Sequence, residues 1–209
     1  MKQTSIKPTG ISFRMFSLLF FVAIAATSCQ KQINTNDEAM AASRSVEMAR
    51  NKPGTTPIAQ IAIDNGFTQL VAALMYVDDE LNAGLVNLFL NGKDQYTVFA
   101  PTDAAFQDLY AALTVKLGAP IDEITDLPAT LVLDVLKYHV TGGRRASFSV
   151  LPKKGMREIS TLLPNATFSV SPAGMITAVG NTAQITTADI NASNGIIHVV
   201  DQVLLPIVP

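Results

Sequence analysis

The stretch that most constrains the fold is the last one in the chain, Asn194 to Pro206, which reads N-G-I-I-H-V-V-D-Q-V-L-L-P. Its Asn-Gly pair predicts a tight hairpin turn, because both residue types accept the positive φ that such a turn needs. The aliphatic run after this pair predicts a strand buried for most of its length, and Pro206 ends it because proline lacks an amide donor. A second such stretch, Tyr96 to Phe106 (Y-T-V-F-A-P-T-D-A-A-F), lies about a hundred residues upstream. We expect the rest of the chain to pack onto these two stretches.

The N-terminus has the three-part layout of a secretory signal. Positive charges in the first fifteen residues precede the apolar run Phe16 to Ala26, which is too short to span a bilayer. Cys29, the single cysteine of the chain, follows the small residues Ala26-Thr27-Ser28. This arrangement resembles the lipobox of bacterial lipoproteins, although Ala26 stands where leucine is usual. We predict that residues 1–28 are a lipoprotein signal peptide and that Cys29 is lipidated; the alternative is an ordinary cleaved signal with an incidental cysteine.

The composition of the chain beyond the signal limits its class and its partners. Residues 29–56 are polar and include Pro53-Gly54, which predicts a flexible tether ahead of a folded domain at residues 57–209. Beyond residue 28 the chain has 12 basic and 17 acidic residues, a net charge of −5 against −2 for the whole chain. This balance argues against nucleic acid as a partner. With 48% hydrophobic and only 15% charged residues, the body of the chain is expected to be globular.

The order of sequence patterns predicts an α+β domain, with helices first and strands later. Thr56 is expected to cap a first helix, Asp78 marks the start of a later one, and Thr102 or Asp103 caps the helix that comes after the Tyr96 strand. From Ala146 onward, short β-type runs alternate with turn residues, which predicts the hairpins of a sandwich or barrel. These runs are Ser147–Leu151, Glu158–Leu163, Thr167–Ser171, Met175–Val179 and Ala183–Thr187.

Three blocks of the sequence resemble the signature of the fasciclin domain: residues 96–106, K-Y-H-V at 137–140, and residues 194–206. Their order and spacing fit over roughly Pro57 to Pro206. The resemblance implies a wedge-shaped β-sandwich with N-terminal helices packed around it. It also implies a role in adhesion or cell-surface interaction. The matched positions, expected to be mainly structural, are Thr102, Asp103, Asn194, Gly195, His198 and Asp201.

The resemblance also marks a candidate interaction segment. In animal matrix relatives the Tyr-His segment has been linked to integrin binding, and the matching positions here are Tyr138 and His139, flanked by Leu136 and Val140. The alternative is that the Tyr138-His139 pair forms a hydrogen-bonded corner between helix and sheet, in which each ring nitrogen of the histidine has a partner.

The sequence contains few of the residues and motifs that catalysis or metal binding needs. The chain has two histidines, and it lacks the H-E-x-x-H, G-x-S-x-G and phosphate-loop motifs. His198 and Asp201 are three residues apart, so in a regular strand their side chains point to opposite faces. We therefore predict no enzymatic activity, no cofactor and no metal site. A hydrolase using His139 and His198 with Asp103 or Asp201 is the third and weakest functional hypothesis.

The leading prediction is a non-catalytic interaction or adhesion module, anchored by lipid in a bacterial cell envelope and binding an extracellular protein or glycan. By resemblance to the sorting rules of bacterial lipoproteins, Gln30 rather than aspartate after the cysteine favours the outer membrane, and the expected location is the outer membrane or the cell surface. The alternative is a glycan-capture lipoprotein of a polysaccharide-uptake system. The absence of tryptophan weakens that alternative, although Tyr76, Tyr96 and Tyr110 would provide stacking platforms if they were exposed.

Overall fold

The computed structural model describes residues 52–207, so the predicted signal peptide and Cys29 lie outside the described residues. In the described part, the helices are α1 (Ile58–Asp64), α2 (Thr68–Leu81), α3 (Leu85–Asn91), α4 (Asp103–Leu117), a short 3-10 helix (Ile124–Asp126), α5 (Ala129–Tyr138) and the single turn α6 (Ser147–Val150). The strands are β1 (Tyr96–Pro101), β2 (Val140–Gly142), β3 (Arg157–Ser160), β4 (Thr167–Val170), β5 (Met175–Thr177), β6 (Thr182–Ala192) and β7 (Gly195–Val200).

The two stretches that dominate the sequence form adjacent central strands. β1 and β7 run parallel, in register from Tyr96 opposite Gly195 to Pro101 opposite Val200. They belong to a seven-stranded sheet of order β2-β1-β7-β6-β5-β4-β3, in which the other pairs are antiparallel. The eleven-residue β6 has two irregularities of register against β7, one on each side of Thr187. Such irregularities bend a strand, and β6 joins the β1–β7 half of the sheet to the β3–β5 half.

Two hydrophobic clusters bury both faces of β1 and β7. On one face, Phe99 and Val200 pack with Ile159, Phe168 and Ile176 from the other half of the sheet, among other residues. This cluster is the interior of the sandwich. On the opposite face, side chains of α1 to α5 pack against the sheet through Val98, Ala100, Ile197 and Val199. The fold is therefore α+β, with helices covering a sandwich, as the sequence predicts.

The predicted helix start at Asp78 is wrong. Asp78 lies in the last turn of α2, which ends at Leu81 before Asn82 in the left-handed conformation (φ 49°). The carboxylate nevertheless serves a helix N-terminus, because it accepts hydrogen bonds from the amides of Leu85 and Val86, both at 2.8 Å. Asp78 therefore caps the N-terminus of α3 from its position at the end of α2.

The predicted strand at Ser147–Leu151 is also wrong, because this run forms α6. The carboxylate of Asp189 accepts hydrogen bonds from both the amide and the hydroxyl of Ser147, each at 2.6 Å. These bonds satisfy donors at the start of the turn, which a strand would not need. Each of the other four predicted runs contains or overlaps a strand, from β3 to β6.

Candidate functional site

The histidine of the Tyr138-His139 pair is held by hydrogen bonds inside the protein. Its Nδ1 lies 2.7 Å from the carbonyl oxygen of Val135, and its Nε2 lies 2.8 Å from the amide nitrogen of Leu204. A carbonyl only accepts and an amide only donates, so Nδ1 carries the proton and Nε2 is the acceptor. Burial lowers the pKa of His139 to about 4, so the ring is neutral at pH 7. Both nitrogens are occupied, which leaves neither for a substrate.

Tyr138 completes the corner between α5 and the sheet. Its hydroxyl donates to the carbonyl of Thr167 at 2.8 Å, and its ring meets the ring of Phe168 edge-on at 5.8 Å. Burial raises the pKa of the Tyr138 hydroxyl. The exposed fractions across the candidate interaction segment are 6% for Leu136, 0% for Tyr138, 2% for His139 and 5% for Val140. In this conformation a partner does not reach these side chains, and the interaction role stays a prediction.

His198 supports the bend in β6. Its ring is fully buried, with Nε2 2.9 Å from the carbonyl oxygen of Arg145 and Nδ1 accepting from the amide of Asp189 at 3.3 Å. Asp189 has a positive φ of 64° and lies at the register irregularity of β6. Burial lowers the pKa of His198. The imidazole therefore stabilises a backbone conformation that non-glycine residues seldom adopt.

Asp201 is not a catalytic partner of His198. It lies beyond the end of β7, is exposed, and accepts a hydrogen bond from the amide of Gln184 at 2.7 Å. The other acid of the hydrolase hypothesis, Asp103, accepts a hydrogen bond from the amide of Gln69 at 3.0 Å and another from the hydroxyl of Thr68. Both carboxylates thus bind backbone or side-chain donors within the fold.

The two predicted caps of α4 separate in the structure. Thr102 is the N-cap residue of α4 and accepts from the amide of Ala105 at 3.2 Å. Asp103 begins the same helix, but its carboxylate caps the start of α2 through Thr68 and Gln69. The predicted cap at Thr56 is wrong: Pro57 is the N-cap residue of α1 and no side chain of its own caps the helix.

Asn194 supplies that missing cap from the β6–β7 turn. Its Oδ1 accepts the amide of Ile58 at 2.9 Å, and its Nδ2 donates to the carbonyl of Phe89 at 2.9 Å. The sequence correctly predicts a tight turn here but gives the wrong reason, because neither Asn194 nor Gly195 has a positive φ. A Cβ at Gly195 would lie 2.1 Å from the carbonyl oxygen of Tyr96, so glycine is needed for the close approach of β1.

The tyrosines proposed as glycan platforms pack in or against the core. Tyr110 is 2% exposed and donates to Gln69, and the hydroxyl of Tyr76 donates to the carbonyl of Leu127 at 2.9 Å. Tyr96 is half-buried and meets Phe89 edge-on at 5.8 Å. Tyr110 is therefore unavailable for stacking on sugars, and Tyr76 and Tyr96 are partly buried.

Two structural features are absent from residues 52–207. Within this range no group of three or more His, Cys, Asp or Glu side chains is arranged to hold a metal ion. No helix in the same range is long and apolar enough to cross a membrane.

An apolar cavity of about 360 Å³ lies beside the Tyr138-His139 corner. It is lined by α2, α4, α5, the 3-10 helix and the segment 203–207, among other residues. Two members of the candidate interaction segment, Leu136 and His139, line it. The sequence does not predict this cavity, because the apolar faces of α4 and α5 have the pattern expected of residues that pack directly on each other.

The chain has similarity to known proteins over most of its length. The family model described as the fasciclin domain matches residues 65–206. Protein sll1483 of a Synechocystis species is 34% identical over 77% of this chain and 79% of its own length. Immunogenic protein MPB70 of Mycobacterium bovis is 34% identical over 72% of this chain and 69% of its own length.

Similarity extends to larger proteins. Transforming growth factor-beta-induced protein ig-h3 of Sus scrofa is 34% identical over 68% of this chain, which spans 18% of that protein. Among solved structures, the FAS1 domain pair of the insect cell adhesion molecule fasciclin I matches with a TM-score of 0.46 and 17% identity. That match covers 68% of this chain and 46% of the insect chain.

Proposed function

The chain belongs to the fasciclin domain family, and on that premise we propose that it is a lipid-anchored interaction or adhesion module of a bacterial cell envelope. Proteins of this family serve mainly in adhesion rather than catalysis. The similarity to these proteins supports a non-catalytic domain. What we propose beyond that is the lipid anchor, the location in the cell envelope and the binding of an extracellular partner.

The observation that carries the proposal is that the polar residues of the family signature form hydrogen bonds within the fold. Thr102, Asp103, Asn194, His198 and Asp201 all form hydrogen bonds with neighbouring parts of the fold. His139 does the same with both ring nitrogens. Residues that an enzyme would place in a substrate cleft here join helices, strands and turns. Because these polar side chains are used to hold the fold together, they are not available for catalysis. The function that remains for the domain is to bind a partner through its surface.

Residues 54–56 are hydrogen-bonded to the fold, which fixes the point at which the proposed tether joins the domain. The amide of Gly54 donates to the carbonyl of Ala192 at 3.0 Å, and the amide of Ser193 donates to the carbonyl of Thr56 at 2.9 Å. The tether therefore enters beside the β6–β7 turn, where β1 and β7 begin. These six-residue strands both run away from this point for about 20 Å. A lipid at Cys29 would connect to the domain at this end.

Lipidation is tested by comparing the wild-type chain with Cys29→Ser in a bacterial host. We expect the wild type in the membrane fraction with a mass increase of one diacyl or triacyl group, and the variant in the soluble fraction without it. Gln30→Ser is the matched control, because it changes the next residue and leaves the thiol. A wild-type protein that lacks the added mass of an acyl group would contradict the anchor.

The interaction role is tested with the soluble Cys29→Ser chain on an array that carries both glycans and extracellular matrix or cell-surface proteins. Saturable, protein-selective binding is the expected result. Selective binding to saccharides would instead favour polysaccharide uptake and contradict adhesion. If no array member binds and deletion of the protein leaves attachment of the cells unchanged, the interaction role is wrong.

A further inference from the structure

The cavity beside α5 has the walls of a site for a hydrocarbon chain. Aliphatic side chains from all of its enclosing elements line it, including Leu109, Leu113, Ile121, Leu131, Val135 and Leu205. Of these, all but Ile121 are only partly buried, because the cavity takes the place of a packing partner. His139 adds only the apolar part of its ring, since its two nitrogens are bonded to Val135 and Leu204.

The volume of the cavity sets the size of its occupant. An apolar protein cavity of about 150 Å³ accepts benzene, which has six carbon atoms. In proportion, the 360 Å³ of this cavity corresponds to roughly fourteen carbon atoms. The volume also lies within the range of natural ligand sites, about 300–1,000 Å³, and well above the voids left by ordinary packing. One long acyl chain fits this volume, whereas two chains exceed it.

The charged residues of the cavity lie at its mouth. Lys116 and Asp126 are both exposed. The carboxylate of Asp126 accepts hydrogen bonds from the amides of Asp122 and Glu123 at 2.9 and 3.1 Å, and these bonds lower its pKa. Within residues 52–207, by contrast, the ammonium group of Lys116 has no hydrogen bond and no ion pair with another residue. The amide hydrogen bonds keep Asp126 ionised, so the mouth carries one negative and one positive charge, and Lys116 is the one that can pair with an anion.

The rim extends the apolar surface to the solvent. Leu117, next to Lys116, is 60% exposed, and Ile207 on the facing segment is 50% exposed. Both belong to the lining of the cavity. Large exposed aliphatic side chains at the opening of an apolar cavity provide contacts for the part of a chain that enters last, next to its head group.

We propose that this cavity binds one long-chain fatty acid, with its hydrocarbon chain between α4 and α5 and its carboxylate beside Lys116. The site goes beyond the interaction role proposed above and does not depend on it. A neutral alcohol of the same chain length loses the charge contact but keeps the hydrocarbon contacts. A short acid keeps the charge contact and loses most of the hydrocarbon burial, and each methylene group removed should weaken binding about fourfold.

The test is calorimetric titration of the full chain carrying Cys29→Ser, which has no lipid of its own. We expect tetradecanoic acid to bind saturably at one site, tetradecanol to bind more weakly, and hexanoic acid not to bind measurably. Val135→Trp fills the cavity and should abolish binding, whereas Met156→Trp, at a position 53% exposed and outside the lining of the cavity, should not. Leu131→Trp is the second filling variant if Val135→Trp fails to fold by circular dichroism.

The charge contact has its own pair of variants. Lys116→Glu should weaken binding of tetradecanoic acid about tenfold and leave tetradecanol unchanged, and Lys154→Glu is the matched surface control. Absence of saturable binding of tetradecanoic acid would overturn the proposal. So would binding that persists in folded Val135→Trp and Leu131→Trp proteins. A protein that binds phosphatidylglycerol vesicles but not free acid would instead recognise a lipid surface, which also overturns the proposal.

Discussion

Asn194 caps a helix that begins 136 residues earlier in the chain, because its Oδ1 accepts the backbone amide hydrogen of Ile58 at 2.9 Å. The same side chain donates to the carbonyl of Phe89 near the end of α3. One buried amide group therefore joins the start of α1, the end of α3 and the β6–β7 turn. The two helices also pack on each other, so the position of this turn and the arrangement of the helices depend on one another.

Replacing Asn194 with alanine should destabilise the domain by about 3 kcal/mol, because a buried amide donor and a buried carbonyl each lose their partner. Urea unfolding monitored by circular dichroism measures the loss. Asn194→Asp keeps an acceptor for Ile58 but lacks the donor for Phe89, so its stability should lie lower than the wild type as well. Asn87→Ala, which removes an exposed hydrogen bond to Asn91, is the control and should change stability little. An Asn194→Ala protein as stable as Asn87→Ala would refute the capping role.

Gly195→Ala should be more damaging than its small size suggests. The added methyl group would lie 2.1 Å from the carbonyl oxygen of Tyr96 and 2.7 Å from Cδ1 of Ile58. Because β1 and β7 pair at this point, the strands must separate to accept it, and we expect a loss of about 3 kcal/mol or more, or failure to fold.

Gly142→Ala is the matched control for this substitution. Gly142 also lies in a strand at the same end of β1, opposite Tyr96, but nothing lies within 4 Å of an added Cβ there. Thermal unfolding of the two variants distinguishes close approach from a general cost of alanine. Equal melting temperatures of the two variants would show that the close contact with Tyr96 does not account for the loss of stability.

The strands could be predicted from sequence better than their partners could. β1 and β7 are apparent as long aliphatic runs, and both are buried as that pattern predicts. Their parallel pairing is not apparent, because nothing local in either run specifies a neighbour about a hundred residues away. Ser147–Leu151 has the composition of a strand, but Asp189 supplies hydrogen bonds that favour a helical turn. Tertiary contacts override local propensity at this place.

The candidate site shows the same limit. Motif resemblance finds Asn194, His198 and Asp103, but the partners of these side chains come from distant segments, which local pattern does not reveal. The cavity escapes prediction for a different reason. Leu113 and Val135 have the helical spacing typical of core residues, and the cavity that they line depends on how separate elements are placed in the fold, which local pattern does not specify.

Tyr138→Phe separates a structural role from a binding role. The variant loses the hydrogen bond to the carbonyl of Thr167 and keeps the ring against Phe168. We expect a loss of about 1–2 kcal/mol in the free energy of unfolding and unchanged affinity for any extracellular partner found on the array. Tyr76→Phe, which removes a comparable bond to the carbonyl of Leu127, is the control. Loss of partner binding by a stably folded Tyr138→Phe protein, but not by Tyr76→Phe, would restore the segment as an interaction site.

Acid should destabilise the domain through His139. The folded-state pKa is about 4 against an ordinary value of 6.5, so between these values the unfolded chain binds a proton that the folded chain does not. The contribution is fully present above pH 6.5, is lost progressively as the pH falls toward 4, and amounts to about 3 kcal/mol. Urea unfolding at pH 7.0, 6.0, 5.0 and 4.5 measures how the free energy of unfolding changes with pH.

His139→Gln is the control for this prediction. It keeps an acceptor for the amide of Leu204 but does not titrate, so it should be less stable at pH 7 and its free energy of unfolding should depend less steeply on pH. Parallel slopes for the two proteins would mean that other groups, such as His198, carry the acid sensitivity.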